Sequence, residues 1–387
     1  MKRVYLDHQA TTPIHPEVLS LMENLQKEVF GNPQSSHYFG FEAKKLLEEA
    51  REKIASLLNV SPSEICFTSS GAESNNWAIK GVAFANQDKG NHIIVSAIEH
   101  SSIIQPAKRL EKMGFEITYL PVDKYGTVDL DELKKKIKKE TILISIMHAN
   151  YEVGTIEPIK EIAEIAKENN IIFHSDGVAA AGQLKIDLKE LDVNLYTISS
   201  HTFYGPKGVA LLYIKKGTKI QPLIEGGIQE NNRRAGTENL IGIIGMAKAY
   251  EIAIKEMEER NERLKRLRNK LIQELPRMVE NVYLTGHPEN RLPNHVSFCV
   301  EYIEGEAMVL YLNQYGIACA SGSACSSKQL KASHVLLAMG IPPILAQGSI
   351  LFTLGIDNKE EDINYLLEVF PSIVKKLREI SPLYKTS

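Results

Sequence analysis

The sequence predicts an α/β fold: a large domain built on a mostly parallel sheet, with a smaller α/β domain towards the C-terminal end. Three observations carry this expectation. Short apolar runs of four to six residues alternate with longer stretches in which apolar residues recur every three or four positions. That alternation builds a sheet covered by helices on both faces. The texture changes near residue 247, where a long, highly charged stretch of helical period begins. Finally, 387 residues, 43% apolar and 24% charged, are enough for two domains that each bury a core.

In chain order, strands are expected at 65–68, 92–96, 116–120, 142–147, 171–174, 195–199 and 209–214. Between them, helical period marks 43–58, 72–85, 102–113, 129–139 and 158–169. Residues 247–275 read as one connecting helix, with charge pairs four apart such as Glu259 with Arg263 and Glu262 with Arg266. Segments 282–300 and 306–319 begin a second α/β unit, and 361–378 closes the chain as an amphipathic helix. The expected division is a large domain over 15–255 and a small domain made of 1–14 plus 256–387.

Composition narrows the function classes. A net charge of -3, from 45 basic and 48 acidic side chains, offers no general attraction for nucleic acid or an anionic membrane, so any anion site must be local. No apolar run approaches the ~20 residues of a membrane span. The start, Met-Lys-Arg-Val-Tyr-Leu-Asp, has no apolar signal region, and a cytoplasmic location is expected. Cys66, Cys299, Cys319 and Cys325 are too few and scattered for a disulfide framework and lack zinc-ligand spacing, so no metal site is expected. Cys66 and Cys299 read as strand-interior packing. Cys325 sits in a small polar loop, 321–328, where an exposed thiol is a liability unless it is used.

Ligands of parallel sheets gather at the carboxyl ends of strands, and four segments there carry chemistry. Gly71-Ala72-Glu73 lies at a strand-to-helix turn, where free amides beside small residues can hold an anion or simply make a tight turn. His100 follows the second strand and can stack on a planar cofactor or move a proton. Asp176 ends the fifth strand, suited either to a protonated ring nitrogen or to capping a helix. Ser199 and His201 follow the sixth and aim hydroxyl and imidazole donors at the same crevice.

With these residues, the chain resembles the cysteine desulfurases, fold-type-I pyridoxal-phosphate (PLP) transferases of the class V aminotransferase superfamily. The likeness runs in order along the whole chain. It includes Ala10-Thr11-Thr12-Pro13, Glu73-Ser74-Asn75-Asn76, Glu99-His100, Glu152-Val153-Gly154-Thr155, Tyr204-Gly205-Pro206-Lys207-Gly208, Arg234-Ala235-Gly236-Thr237 and Gly322-Ser323-Ala324-Cys325. The resemblance implies that PLP serves as electron sink for L-cysteine and that Cys325 takes the sulfur as a persulfide, leaving alanine. It implies that His100 stacks on the cofactor ring as a catalytic residue and that Asp176 pairs with the ring nitrogen. The turn Gly71-Ala72-Glu73, with Ser199 and His201, would hold the phosphate, and Thr237 would reach the phosphate of a second subunit in a homodimer. The implied acceptor is an iron-sulfur scaffold or another sulfur-accepting protein.

Five positions depart from the family pattern. The Schiff-base lysine before the Tyr-Gly-Pro-Lys-Gly run is Thr202, which cannot form an imine, and Lys207 reads as a structural turn residue already present in the pattern. The phosphate-binding threonine is Ala72, and the second asparagine of the Asn-Asn-Glu-Val-Gly run is Tyr151. The glutamine supporting the cofactor's phenolic oxygen is Ala179, and the arginine clamping the substrate carboxylate is Leu351. Each lost hydrogen bond to a charged group weakens binding by ~1.5–3 kcal/mol, so several together weaken it by orders of magnitude. The set implies impaired or lost activity, with PLP held non-covalently or absent. The alternative is a non-catalytic partner of an iron-sulfur scaffold or of an active desulfurase.

Overall fold

The computed structural model describes residues 2–322, 332–382 and 384. A short strand, β1 (Val4–Tyr5), precedes the large sheet. That sheet contains β2 (Ile65–Thr68), β3 (His92–Ser96), β4 (Glu116–Leu120), β5 (Thr141–Ser145), β6 (Ile172–Asp176), β7 (Leu195–Ser199) and β8 (Ala210–Ile214), in the order β2-β8-β7-β6-β5-β3-β4. Strands β3 to β7 run parallel, while β8 is antiparallel to both its neighbours. As a result β2, β3, β5, β6 and β7 all present their carboxyl ends to one edge.

The sheet is buried on both faces, which is why its strands read as continuous apolar runs. All positions of β2, β3, β5, β7 and β8 are buried, whereas the edge strand β4 begins with an exposed Glu116. One face packs Leu47 and Ile54 of the Tyr38–Leu57 helix, with Ile243 and Tyr250 of the Leu240–Lys255 helix, against Phe67 and Ile198. The other packs Trp77 and Val82 of the Gly71–Ala85 helix, with Ile103 and Leu110 of the Ser101–Glu111 helix, against Ile93, Val95 and Leu212. Each such large side chain contributes ~1.5–3 kcal/mol on burial. Trp77 also meets its polar requirement, donating from Nε1 to the Gln221 carbonyl at 2.7 Å.

The single helix expected over 247–275 is two helices, Leu240–Lys255 and Met257–Met278, joined at Glu256. The break has a packing cause. Ile243, Met246, Tyr250 and Ala253 belong to the large-sheet core, but Leu264, Leu267, Leu271 and Leu275 belong to a second core, so the apolar stripe changes partners. Buried Arg260 ties the junction, donating to the carbonyls of Gly182 and Ala253.

The second core lies against β9 (Val282–Leu284), β10 (His295–Val300) and β12 (Ser349–Thr353), an antiparallel sheet in the order β12-β10-β9. The stretch 282–300 is therefore a hairpin with a ten-residue connection. A fourth strand of this half, β11 (Ile317–Ala318), pairs in parallel with β1 and draws the chain start into this core through Val4 and Leu6. The closing helix, Glu360–Ile380, adds Phe370, which meets Phe352 edge-on at 6.1 Å. Among the described residues no helix is long and apolar enough to cross a membrane, and no cluster of three or more His, Cys, Asp or Glu could hold a metal.

Candidate active-site cavity

A cavity of about 1150 Å³ opens where β2, β3, β5, β6 and β7 end. Its opposite wall comes from the C-terminal half, including Ala320, Ser321, Gly322, Ala332, Ser333, His334 and Leu351.

At its floor, Asp176 anchors a chain of hydrogen bonds. Its Oδ1 accepts from the Val178 amide at 2.9 Å, and its Oδ2 from Asn75 Nδ2 at 2.6 Å. The same Asn75 Nδ2 donates to Ser102 Oγ at 2.8 Å, and Ser102 Oγ meets His100 Nδ1 at 2.8 Å. His100 Nδ1 also accepts from the Ser102 amide, which caps the Ser101–Glu111 helix and leaves Nε2 to carry the ring proton. The imidazole meets Tyr151 edge-on, with centroids 5.3 Å apart. Burial raises the Asp176 carboxyl above its ordinary value, while the Val178 amide, His100 and Asn75 draw it back. A buried carboxylate that forms no ion pair with a lysine or arginine among the described residues suits a cationic ligand atom.

The adjoining corner suits an anion. The Gly71–Ala85 helix begins here, and a Cβ at Gly71 would stand 2.9 Å from Val178 Cγ2 and 3.5 Å from Ser199 Cβ, so only glycine allows this approach. Gly71, Ala72, Ser199 and His201 line the corner. Burial, then Lys207, lowers the His201 imidazole below its usual range. Glu73 is not among the lining residues. Its carboxylate accepts from the Ser69 amide at 2.7 Å and from Ser69 Oγ, and pairs with Arg234 Nε at 2.8 Å. Burial alone would raise the Glu73 carboxyl, but the Arg234 and Ser69 contacts hold it below its ordinary value. Thr237 is exposed and outside this chain's cavity.

Two further buried carboxyls adjoin cavity residues in the sequence, Glu99 before His100 and Glu152 after Tyr151. Glu99 is fully buried, with Oε1 accepting from Ser96 Oγ at 2.6 Å and the Met147 amide at 2.8 Å, and burial holds it well above the usual range. Glu152 lines the cavity, and burial pushes it up to about 8. Its Oε2 accepts from Ser333 Oγ at 2.7 Å, while Gly322 packs so closely that an added Cβ would lie 2.1 Å from Oε1. The signal was a lone carboxylate within an otherwise apolar strand-end turn. Cys325 lies outside the described residues, but Gly322 before that segment and Ser333 after it both meet Glu152 at the cavity wall.

Of the five positions expected to depart from the family pattern, Ala72, Tyr151, Ala179 and Leu351 line the cavity. Thr202 does not. It lies buried in the 3₁₀ turn Ser200–Thr202, with Oγ1 turned back to the carbonyls of Val178 at 3.0 Å and Ser199 at 3.1 Å. Lys207 is exposed and also absent from the lining. Among the described residues the only lysine lining the cavity is Lys108, about 10 Å along its helix from Ser101.

The sheet order, the strand-end cavity and the smaller C-terminal α/β domain define a fold-type-I PLP-transferase architecture. The chain belongs to the class-V aminotransferase family, whose pattern matches residues 4–366. It is similar to cysteine desulfurase IscS of Dictyoglomus turgidum, 57% identical over 99% of this chain and 97% of that one. It is likewise similar to cysteine desulfurase IscS of Methanosarcina thermophila, at 53% over 99% and 94%. A solved NifS-like protein superposes with a TM-score of 0.92 at 40% identity, covering 97% of this chain and all of that one. A NifS-like protein from Rickettsia africae gives 0.88 at 33%, covering 97% of this chain and 100% of that one.

Proposed function

We propose that this chain is a cytoplasmic sulfur-mobilisation protein of the cysteine desulfurase type, in which Cys325 is the sulfur-carrying thiol and conversion of L-cysteine to alanine is impaired or lost. The observation that carries this reading is the setting of Thr202. Its hydroxyl is committed to two backbone carbonyls at the position read as the family's lysine, Lys207 does not line the cavity, and among the described residues the one lysine that does is Lys108, on another helix.

Family membership implies PLP, and the residues present do not fit it as the family holds it. Asp176 and His100 suit a protonated ring, and the Gly71 turn with Ser199 and His201 suits a phosphate. Thr202 offers the aldehyde no amine, Ala72 lacks a phosphate-binding hydroxyl, and Ala179 lacks a donor for the phenolic oxygen. No catalytic step through PLP is therefore derived. The test is a visible spectrum of the purified protein with added PLP, followed by assays for alanine and sulfide from L-cysteine. No imine band and no product are expected, and strong turnover by the protein alone would overturn the reading.

Homodimer formation is part of the same proposal. Phe30, Tyr38, Phe39 and Phe41 are exposed, and Phe39 stacks against both Phe30 and Tyr38. Gln34, in the same segment, contacts Glu238 beside Thr237. An apolar patch of this kind, continuous with Thr237, supports a second copy seated there. The same patch supports the second reading, a non-catalytic chain paired with an active desulfurase or bound to an iron-sulfur scaffold. Mixing tagged and untagged chains with an active relative separates the two pairings.

A further inference from the structure

A second cavity, about 310 Å³, shares no lining residue with the first. It lies between the Met257–Met278 helix, the β9–β10 connection and residues Ile156 and Leu184, and it is lined by Lys265, Arg268 and Arg291. Arg291 is only 3% exposed and Arg268 only 7%. Arginine remains charged at any ordinary pH, so both are buried cations.

Their partners are all neutral. Arg291 Nε donates to the His295 carbonyl and Nη2 to the Val153 carbonyl, each at 3.1 Å, and Nη1 reaches the His287 carbonyl at 3.5 Å. Arg268 Nη1 donates to the carbonyls of Leu292 at 3.0 Å and Arg291 at 3.3 Å, while Nε and Nη2 share Asn269 Oδ1. The arginine ion pairs among the described residues are those of Arg51, Arg234 and Arg277. Neither Arg268 nor Arg291 has one, and exposed Glu289, though it lines the cavity, pairs with neither.

Each guanidinium also has five N–H donors and retains some beyond these bonds. Burial, and then the charge of Arg268, pushes Arg291 down to about 9. Two adjacent buried cations held only by carbonyl and amide oxygens form a site short of one counter-charge. The planar donor forks match a tetrahedral or planar oxyanion.

We infer that this pocket binds a small oxyanion of phosphate chemistry, free phosphate or a phosphate monoester, with Lys265 at its mouth and Arg268 and Arg291 as its walls. The pocket also adjoins a turn of the first cavity. Arg291 holds the Val153 carbonyl, and His295, beside it, bonds the Tyr151 carbonyl at 3.0 Å, so the turn carrying Tyr151 and Glu152 is braced from this side.

The test is calorimetric titration of the full-length protein with inorganic phosphate, at ionic strength held constant with chloride. Because the strand-end corner can also take phosphate, the titration is run in a Ser199→Ala/His201→Gln background. Binding is expected to persist there and to weaken about tenfold or more on adding Arg268→Gln or Lys265→Gln. Lys265 lies on the helix surface, so its variant carries the test if Arg268→Gln does not fold. The affinity for glucose-phosphate set against that for inorganic phosphate, with glucose as blank, separates monoester from free phosphate. Loss of all phosphate binding in the Ser199→Ala/His201→Gln background, or affinity unchanged by Lys265→Gln and Arg268→Gln, would overturn the inference.

Discussion

On the proposed reading, replacing Thr202 by lysine supplies the family's amine and separates a single defect from a collective one. The substitution removes the hydrogen bond from Thr202 Oγ1 to the Val178 and Ser199 carbonyls, costing ~1 kcal/mol of stability. Thr202 is buried and does not line the cavity, so the new stem must rearrange its turn to reach it. Even when it does, on the same reading Ala72 and Ala179 offer neither the hydroxyl nor the amide expected at the phosphate and the phenolic oxygen. Two absent bonds to charged groups correspond to ~3–6 kcal/mol, or roughly two to four orders of magnitude in affinity. Titrating PLP into Thr202→Lys and into Thr202→Lys/Ala72→Thr/Ala179→Gln, with the imine absorption band as readout, tests this. The single variant should require at least a hundredfold more PLP than the triple variant. Equal saturation, with alanine released from L-cysteine by the single variant, would refute the reasoning.

Glu152 gives a pH signature. Its carboxyl lies at about 8 in the folded chain against an ordinary 4.5, so between those values the folded state holds a proton that the unfolded state releases. Its stabilisation is complete below about pH 4.5 and is lost as pH rises towards 8, with a slope of up to ~1.4 kcal/mol per pH unit. Glu157, also at about 8, adds to the fall, so Glu152→Gln should remove only part of the slope in denaturant midpoints from pH 5 to 8, and an unchanged slope would exclude this assignment. Gly322→Ala should destabilise by ~1–3 kcal/mol, because its Cβ would meet Glu152 Oε1, and Glu152→Ala should relieve most of that cost. Additive effects in the urea-unfolding cycle would show that the two do not touch. Glu230→Ala should cost ~3–5 kcal/mol by leaving buried Arg51 without its bidentate partner, and a urea midpoint close to the parent's would contradict it.

Much of the large sheet was legible because strands buried on both faces read as apolar runs, as in Ile93-Ile94-Val95 and Leu143-Ile144. Boundaries were less so. The strand expected over 142–147 ends at Ser145, where pairing with β6 stops although apolar residues continue. The break at Glu256 was invisible, since helical period runs through it and only the partner core changes. At the site, His100, Asp176, Ser199 and His201 could be named from their strand-end positions, but Glu73 could not be distinguished from them. Its attachment to Arg234, 161 residues away, depends on the fold. Glu152 and Asn75 were missed as site residues because their roles arise from what is brought against them.

By itself, the sequence determined which residue types stand at each strand end, and so the resemblance to the family and the five positions read as departing from it. Local chemistry suffices for that: threonine cannot form an imine, and alanine cannot donate a hydrogen bond. The tertiary structure alone decided direction and company. It turned Thr202 towards backbone carbonyls and gathered Ala72, Tyr151, Ala179 and Leu351 around one cavity. It also brought Gly322 and Ser333 onto Glu152, and placed Arg268 beside Arg291 with no carboxylate between them. The physical reason is that burial and counter-charge belong to pairs of groups far apart in the chain, and no local pattern encodes which of them will meet.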